Sequence, residues 1–472
     1  MARIAFVENI WIERMGVMLL SANLKKYGHQ TKLFMDNSNI IKNLQEYKPH
    51  LISFSCISGE HPWALNLAKN IKEIMKDTLI IMGGPHPTFF PEVIEKDSVD
   101  IICRGEGEET FVELANKIDN KENITDILNL WLKQNNKIYK NDVRPFIQNL
   151  SDFPWADREI YKESHTFFQN SHTKRVYISR GCAYNCSYCH NHMLRELYKN
   201  KGKFMAHRNI DDIINEIKWL ISNHPFKTIA FTAESLTTNK KWVLEFLKTY
   251  EKEIKYPFVC NTTFNELSED VIIALKNANV HCLFIGLESG NENIRRDILH
   301  KNITNKQIIE TGKLLRKYKV KFMTYNMVGM PDESIKNAFE TIELNRRIKT
   351  NYPWCSILQP YVRTKIFDYA MERGYISEED VNDISALYMH SSVMKKNDIR
   401  ELENLQKLFI ICAKIKLLPF HLIKILIKLP LKKIYHLLFI LSFGYYYRKR
   451  NNLSYLDLIK FGFLTLSKYR KK

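Results

Sequence analysis

Apolar residues in the first quarter of the chain fall into short runs, separated by longer segments in which they recur every three or four positions. The runs at residues 3–7, Thr31–Phe34, Leu51–Ser55, Thr78–Met82 and Asp100–Cys103 predict strands, while Gly16–Lys26, Trp63–Met75 and Glu109–Ile118 predict helices. Strands alternating with helices over short connections specify an open parallel sheet of the Rossmann or flavodoxin kind, covered on both faces. Ligands on such sheets lie beyond the carboxyl ends of the strands. Ile127–Leu132 and Lys137–Tyr139 flank a polar turn and predict a hairpin. Residues 141–165 follow without periodicity, with Pro145 and Pro154, and read as a linker.

From Arg175 the alternation resumes. Strands are expected at Arg175–Arg180, Thr228–Phe231, Phe258–Thr262, Cys282–Ile285, Lys321–Val328 and Cys355–Gln359. Helices are expected at Ile210–Asn223, Lys240–Lys252, Glu269–Asn277, around Glu292–Leu299, at Asn305–Tyr318, Ser334–Arg347 and Ile366–Arg373. Six strands, each followed by a helix, predict a (β/α)6 partial TIM barrel with its chemistry at the carboxyl ends of the strands. The expected α/β organisation is therefore a sheet domain at 1–140, a linker at 141–165, a partial barrel at 166–390 and an α-helical region at 391–472.

Composition narrows the class. The 472 residues are 45% hydrophobic and 26% charged, as in an ordered globular protein. Nine cysteines cluster only at 182–189, which is not the spacing of a secreted disulfide framework, and no signal peptide is apparent at Met1–Val7. A reducing, cytoplasmic location is expected, peripheral on the inner membrane face if the tail binds lipid. The formal charge is +18, but from Lys407 onward there are 15 Lys and Arg against the single acid Asp457. Basic charge confined to an apolar tail favours an anionic membrane surface over nucleic acid, and no nucleic-acid partner is expected.

The chemistry concentrates in Arg180-Gly181-Cys182-Ala183-Tyr184-Asn185-Cys186-Ser187-Tyr188-Cys189-His190, where three thiols stand at C-x3-C-x2-C spacing. Sulfur ligands this close in a reduced protein favour zinc or an iron–sulfur cluster. A zinc site needs a fourth ligand, which His190 or His192 could supply; three thiolates on a [4Fe-4S] cube leave one iron open. With the strand leading in and the aromatic Tyr188 before the third Cys, the segment resembles the cluster loop of the radical S-adenosylmethionine (SAM) superfamily. That resemblance implies cluster ligation by Cys182, Cys186 and Cys189, with SAM chelating the open iron.

Further segments extend the resemblance over residues 1–375. Gly83-Gly84-Pro85-His86 after the fourth strand and Arg104-Gly105-Glu106-Gly107 after the fifth are similar to the cobalamin-binding domain that precedes many radical SAM domains. Ser53, Gly83, Gly84, His86, Gly105, Glu106 and Gly107 are implied to meet cobalamin. The Asp-x-His-x-x-Gly motif is missing from Glu8–Gly16, so no histidine from it would stand below the cobalt. Gly286-Leu287-Glu288-Ser289-Gly290 resembles the family's Gly-x-Glu-Ser-Gly run, and Gly329-Met330-Pro331-Asp332-Glu333 its Gly-x-Pro-x-Glu run. SAM contacts are implied for Tyr188, Glu234, Glu288, Ser289 and Gly329. Thr263 stands where relatives often carry Arg, so another group must meet the SAM carboxylate.

The tail Lys407–Lys433 reads as an interfacial amphipathic helix kinked at Pro430, with Lys424, Lys428 and Lys432 on one face, or else as a helical cap with solvated lysines. The activity implied is methylation of an unactivated carbon of a small-molecule or lipid substrate, with electrons from a flavodoxin or ferredoxin type donor. Radical oxidative cyclisation or rearrangement without methyl transfer is the alternative. A non-catalytic, zinc-stabilised binding protein is a third reading.

Overall fold

The computed structural model describes the chain except residues 10–12, 163–171, 385–388, 390, 416, 452, 460, 461 and 463–472. Part of the loop expected to hold the cobalt-ligand motif (10–12), part of the linker (163–165) and Lys416 thus lie outside the described residues. The chain forms two compact units, residues 1–183 with 190–234, and residues 184–189 with 235–472.

The first unit contains a seven-stranded sheet built from β1 (Arg3–Glu8), β2 (Gln30–Met35), β3 (Leu51–Ser55), β4 (Leu79–Gly83), β5 (Ile101–Cys103), β6 (Leu130–Gln134) and β7 (Lys137–Lys140). Their order is β2-β1-β3-β4-β5-β6-β7, parallel through β5 and antiparallel for the β6–β7 hairpin. The first five strands follow the flavodoxin-like order, as expected. Alternation along β1 explains the two-sided core, since successive side chains point to opposite faces. Ile4 and Phe6 join one apolar cluster with Met18, Leu24 and Phe111 from helices Met15–Lys26 and Glu108–Asn120. Ala5 and Val7 join the other with Leu44, Ala68 and Ile71 from helices Ile40–Tyr47 and His61–Ile74. Helix Ile40–Tyr47 was not expected. Its eight residues bury only Ile40 and Leu44, too few repeats for periodicity to register.

The expected strand Arg175–Arg180 is interrupted. β8 (Thr173–Tyr177) ends before Ile178, and Ser179–Arg180 forms β9, antiparallel to β10 (Ala206–His207). β8 pairs in parallel with β11 (Thr228–Thr232). Four further parallel strands belong to the second unit: β12 (Phe258–Thr262), β13 (Val280–Glu288), β14 (Phe322–Val328) and β15 (Tyr352–Ile357). Within the second unit their order is β15-β14-β13-β12. Helices follow at Ile210–Asn223, Lys240–Glu253, Glu269–Asn277, Asn305–Lys317, Ile335–Ile348 and Lys365–Glu372. Thr304 with Gln307 and Ser334 with Asn337 close capping boxes, which fixes where two of these helices begin. The segment near Glu292–Leu299 is a single π-turn, Ile294–Ile298, rather than an α-helix.

The tail departs from the single helix, kinked at Pro430, expected over Lys407–Lys433. Helices Ile399–Lys414, Phe420–Leu426 and Lys432–Asn451 are separated at Pro419 and Pro430, which lack the N–H a helix interior requires. Lys424, Lys428 and Lys432 consequently do not share one helix. Leu402, Leu405 and Phe409 pack on Cys355 and Ile357 of β15. Nor are all the tail's lysines solvated. Lys407 is buried, donates to Gln406 Oε1 at 2.8 Å and to the Met389 carbonyl, and lies over the Phe439 ring, while burial holds its ammonium down to about 8.

Helix ends leave carbonyls without partners, and two side chains satisfy them here. Arg346 donates to the carbonyls of Cys412 (2.7 Å), Ile415 (3.1 Å) and Leu418 (2.9 Å), and Asn404 Nδ2 to that of Ile427 at 2.7 Å. Arg346→Met keeps apolar contact with Phe420 but removes the guanidinium's bonds to the Cys412, Ile415 and Leu418 carbonyls. It should destabilise the docked tail by about 2 kcal/mol, read as faster amide exchange confined to residues 399–426; unchanged exchange there would contradict the capping role.

Candidate active site

Six cysteines, at 56, 103, 260, 282, 355 and 412, are buried, and only Cys182, Cys186 and Cys189 are partly exposed. Burial pushes the thiols of Cys56, Cys103, Cys282 and Cys412 up to about 12, which disfavours the thiolate a metal needs. The accessible thiols are thus the three at cluster spacing. Among the described residues no three Cys, His, Asp or Glu side chains converge on one ion.

The chain around these thiols is held by groups other than sulfur. Gly181 has φ 84°, and a Cβ there would collide with the Phe204 carbonyl. Arg195 donates to the Cys182 carbonyl. Cys189 N donates to Cys186 O at 3.2 Å. Ser187, buried, donates through Oγ to Ile298 O (2.5 Å) and through N to Leu299 O (3.1 Å), and accepts from Ile366 N (3.0 Å). Tyr184 donates to Glu266 Oε1 at 2.7 Å. Glu266 also accepts from Ser235 (2.5 Å), Thr237 (2.6 Å) and Thr238 (2.9 Å), so one carboxylate joins the cysteine loop to the segment after β11.

The Gly-x-Glu-Ser-Gly run ends β13. A register shift between Gly286 and Glu288, with Glu288 at φ 66°, turns this carboxylate out of the ladder. Its Oε1 accepts from Tyr188 OH (3.0 Å) and Lys301 Nζ (3.1 Å), while Lys301 also donates to Gly286 O at 2.7 Å. A Cβ at Gly286 would strike both Glu288 and Lys301. The charge of Lys301 also acts on Cys186, opposing the burial that raises that thiol. Tyr188, Glu288, Lys301 and Cys186 therefore form one group. Ser289 is fully buried, its hydroxyl accepting from Asn291 N at 3.2 Å and its carbonyl from the buried Arg295 at 2.5 Å. Gly329, at φ 82°, donates its N–H to Glu333 Oε2 at 2.6 Å. Glu234 is exposed, at the end of the first unit's chain.

In the first unit the expected cobalamin residues, Ser53 apart, stand at or just after strand ends. Gly83 closes β4, Gly84 has φ 92°, and His86 N donates to Cys56 O at 3.0 Å. The His86 ring stacks on His61 at 3.8 Å and on Phe90 at 4.9 Å, with Nδ1 3.1 Å from Ser58 Oγ. Ser53 lies buried midway along β3. Gly105 has no room for a Cβ, because the Tyr198 hydroxyl occupies that place and accepts from Glu106 N at 2.8 Å. Both carboxylate oxygens of Glu106 are engaged, one by Arg180 (2.6 Å) and one by Ile147 N (2.7 Å). Gly107 precedes helix Glu108–Asn120. At the end of β1, where no cobalt-ligand motif occurs, Glu8 accepts from Tyr161 OH at 2.8 Å.

Two family models match the chain: the radical SAM superfamily over residues 176–344 and the B12 binding domain over residues 7–115. The chain belongs to the cobalamin-dependent radical SAM superfamily. Its cofactors are accordingly a [4Fe-4S] cluster, SAM and cobalamin. An uncharacterised methyltransferase of Pyrococcus horikoshii, PH0819, is 27% identical over 72% of this chain and 73% of its own length. The anaerobic magnesium-protoporphyrin IX monomethyl ester cyclase of Synechocystis sp. is 23% identical over 65% of this chain, which spans 62% of that cyclase. Among solved structures, the radical SAM methyltransferase TsrM of Kitasatospora setae, with cobalamin and [4Fe-4S] cluster bound, superposes with TM-score 0.66 at 14% identity, over 79% of this chain and 78% of that one. The fold of this radical SAM protein is thus that of TsrM.

Sequence reasoning missed Lys301 and Glu266, and named Glu333 only as the last residue of the Gly-x-Pro-x-Glu run. Burial outweighs the Met330 and Gly329 N–H groups that favour ionisation, and raises the Glu333 carboxyl from 4.5 to about 7. Because the folded state holds this proton more tightly, its stabilising contribution is complete below about pH 4.5 and is lost as pH rises through 7. Glu333→Gln, which mimics the protonated acid, should show about 3 kcal/mol less loss of stability between pH 4.5 and 8, measured by urea unfolding; parallel pH profiles would show that Glu333 does not titrate there.

Proposed function

We propose that this radical SAM protein methylates an unactivated carbon of a small-molecule or lipid substrate, with electrons delivered by a flavodoxin or ferredoxin type protein. The observation that carries the reading is the group made by the accessible cysteine loop with Tyr188, Glu288 and Lys301, in a chain that also has a B12-binding domain. In this reading Cys182, Cys186 and Cys189 hold the cluster. Bound, the cluster and SAM supply a carbon-centred radical and cobalamin a transferable methyl group. The division at 1–140, 141–165, 166–390 and 391–472 belongs to the same proposal.

Within it, Tyr188 and Lys301 hold Glu288 by Oε1, leaving Oε2 to accept a ribose hydroxyl. Gly329 turns the chain so that backbone meets adenine, Ser289 shapes the turn, and Glu234 accepts from the SAM ammonium. Ser53, Gly83, Gly84, His86, Gly105, Glu106 and Gly107 line the cobalamin site, with Glu106 acting through Arg180 and the Ile147 amide. Lys301 meets the SAM carboxylate, a task for which Thr263 has no charge. An ammonium has three N–H donors, and Gly286 and Glu288 accept from it here. Removing a charged partner costs about 1.5–3 kcal/mol, so Lys301→Met should weaken SAM binding roughly ten- to hundredfold in anaerobic equilibrium dialysis. Equal affinity in the variant would leave Lys301 with Glu288 alone.

Methylation is favoured by the methyltransferase relative and by the TsrM fold. The cyclase relative supports a second reading, radical oxidative cyclisation without methyl transfer. SAM labelled in its S-methyl group separates the two: label should enter the product, whereas unlabelled, dehydrogenated product would favour the cyclase.

A further inference from the structure

The helix Lys432–Asn451 is apolar on two sides, and the packing uses only one. Tyr435 and Phe439 are buried, with Tyr435 in the cluster that includes Leu405 and Phe409, and Trp354 of β15 lies 6.1 Å from Phe439 and 4.9 Å from Phe443. On the other side, positions 434, 437, 441 and 445 repeat at helical spacing and form an outward stripe. Ile434 is 51% exposed, Leu437 55%, Leu441 60% and Tyr445 44%. Tyr445 meets Tyr446 and Lys449 of the same helix. Four adjacent large apolar side chains facing water are costly to keep and mark an interaction surface.

Charge identifies what that surface meets. Lys432 and Lys433 open the helix and Lys449 stands exposed near its end, while Arg448 lies over the Tyr455 ring and Arg450 over Phe284; Lys424 and Lys428 are exposed just upstream. No Asp or Glu occurs between Glu403 and Asp457. A water-exposed apolar stripe bracketed by exposed lysines on both ends matches an anionic lipid interface, where the stripe enters the acyl boundary and the ammonium groups meet phosphates. No helix of the described residues is long and apolar enough to cross a membrane, so the contact is interfacial.

We propose that the outward stripe of helix Lys432–Asn451, with Lys432, Lys433 and Lys449 at its ends, docks this chain flat on an anionic lipid surface. The inner face of the same helix is at once part of the folded core, so the cap and the membrane contact are two sides of one element. Nothing in this inference requires the methylation reading, and its test involves neither SAM nor turnover.

The test is cosedimentation of the full chain, purified anaerobically, with vesicles of phosphatidylcholine alone or with one-fifth phosphatidylglycerol by mole. The wild type should pellet with the anionic vesicles and far less with the neutral ones. Leu437→Glu/Leu441→Glu should partition at least about tenfold more weakly, and Lys432→Glu/Lys433→Glu should lose the preference for anionic lipid. Both pairs are exposed, and unchanged circular dichroism would show that the fold persists. A wild type that stays in the supernatant, or variants that bind as it does, would overturn the proposal. So would a lipid-free dimer, seen by sedimentation velocity, that Leu437→Glu/Leu441→Glu dissolves, since the stripe would then be covered by a second copy.

Discussion

Three thiolates repel one another, and a loop that presents them must be held by something other than sulfur. Here the restraint is a set of hydrogen bonds from the residues between the cysteines. Ser187 donates to the carbonyls of Ile298 and Leu299, Tyr184 to Glu266, and Tyr188 to Glu288. Each partner stands at the end of a strand of the second unit or on the segment that follows one, so the sheet itself fixes the loop. Charge-assisted bonds to carboxylates are among the stronger hydrogen bonds, and inside protein they are not diluted by water.

The same logic explains the glycines near the site. Gly181, Gly286 and Gly105 each have another group where a Cβ would stand: the Phe204 carbonyl, the Glu288–Lys301 pair and the Tyr198 hydroxyl. At Gly105 this changes the meaning of the residue. The glycine makes room for a tyrosine of its own chain, and the neighbouring Glu106 is held by Arg180, the residue that leads into the cysteine loop. Within the first unit, the turn after β5 and the start of the cysteine loop are thereby joined through a partly buried ion pair.

Much of the fold was legible because its periodicities are strong. The alternation of β1, the five parallel strands after the flavodoxin pattern and the six strand–helix repeats all rest on apolar spacing within one element. The C-x3-C-x2-C loop and Gly286–Gly290 were legible because their residues are adjacent in sequence. Lys301, Glu266 and Arg346 were not, since their roles depend on partners 13, 82 and 66 residues away, and lysine, glutamate or arginine in a polar loop or helix carries no local signal. The tail misled for a related reason. Its lysine spacing suggested one helix, but Pro419 and Pro430 cut it into three, and tertiary packing buried Lys407.

The account rests on the accessible cysteine trio holding an incompletely ligated cluster beside Glu288 and Lys301. Its most direct measurement is electron paramagnetic resonance of the anaerobically reconstituted, reduced protein with and without SAM. About four irons per chain and a spectrum that shifts on adding SAM, both lost on substituting Cys182, Cys186 or Cys189 by Ala, are the predicted result. Uptake of zinc instead of iron, or a cluster spectrum indifferent to SAM, would contradict it.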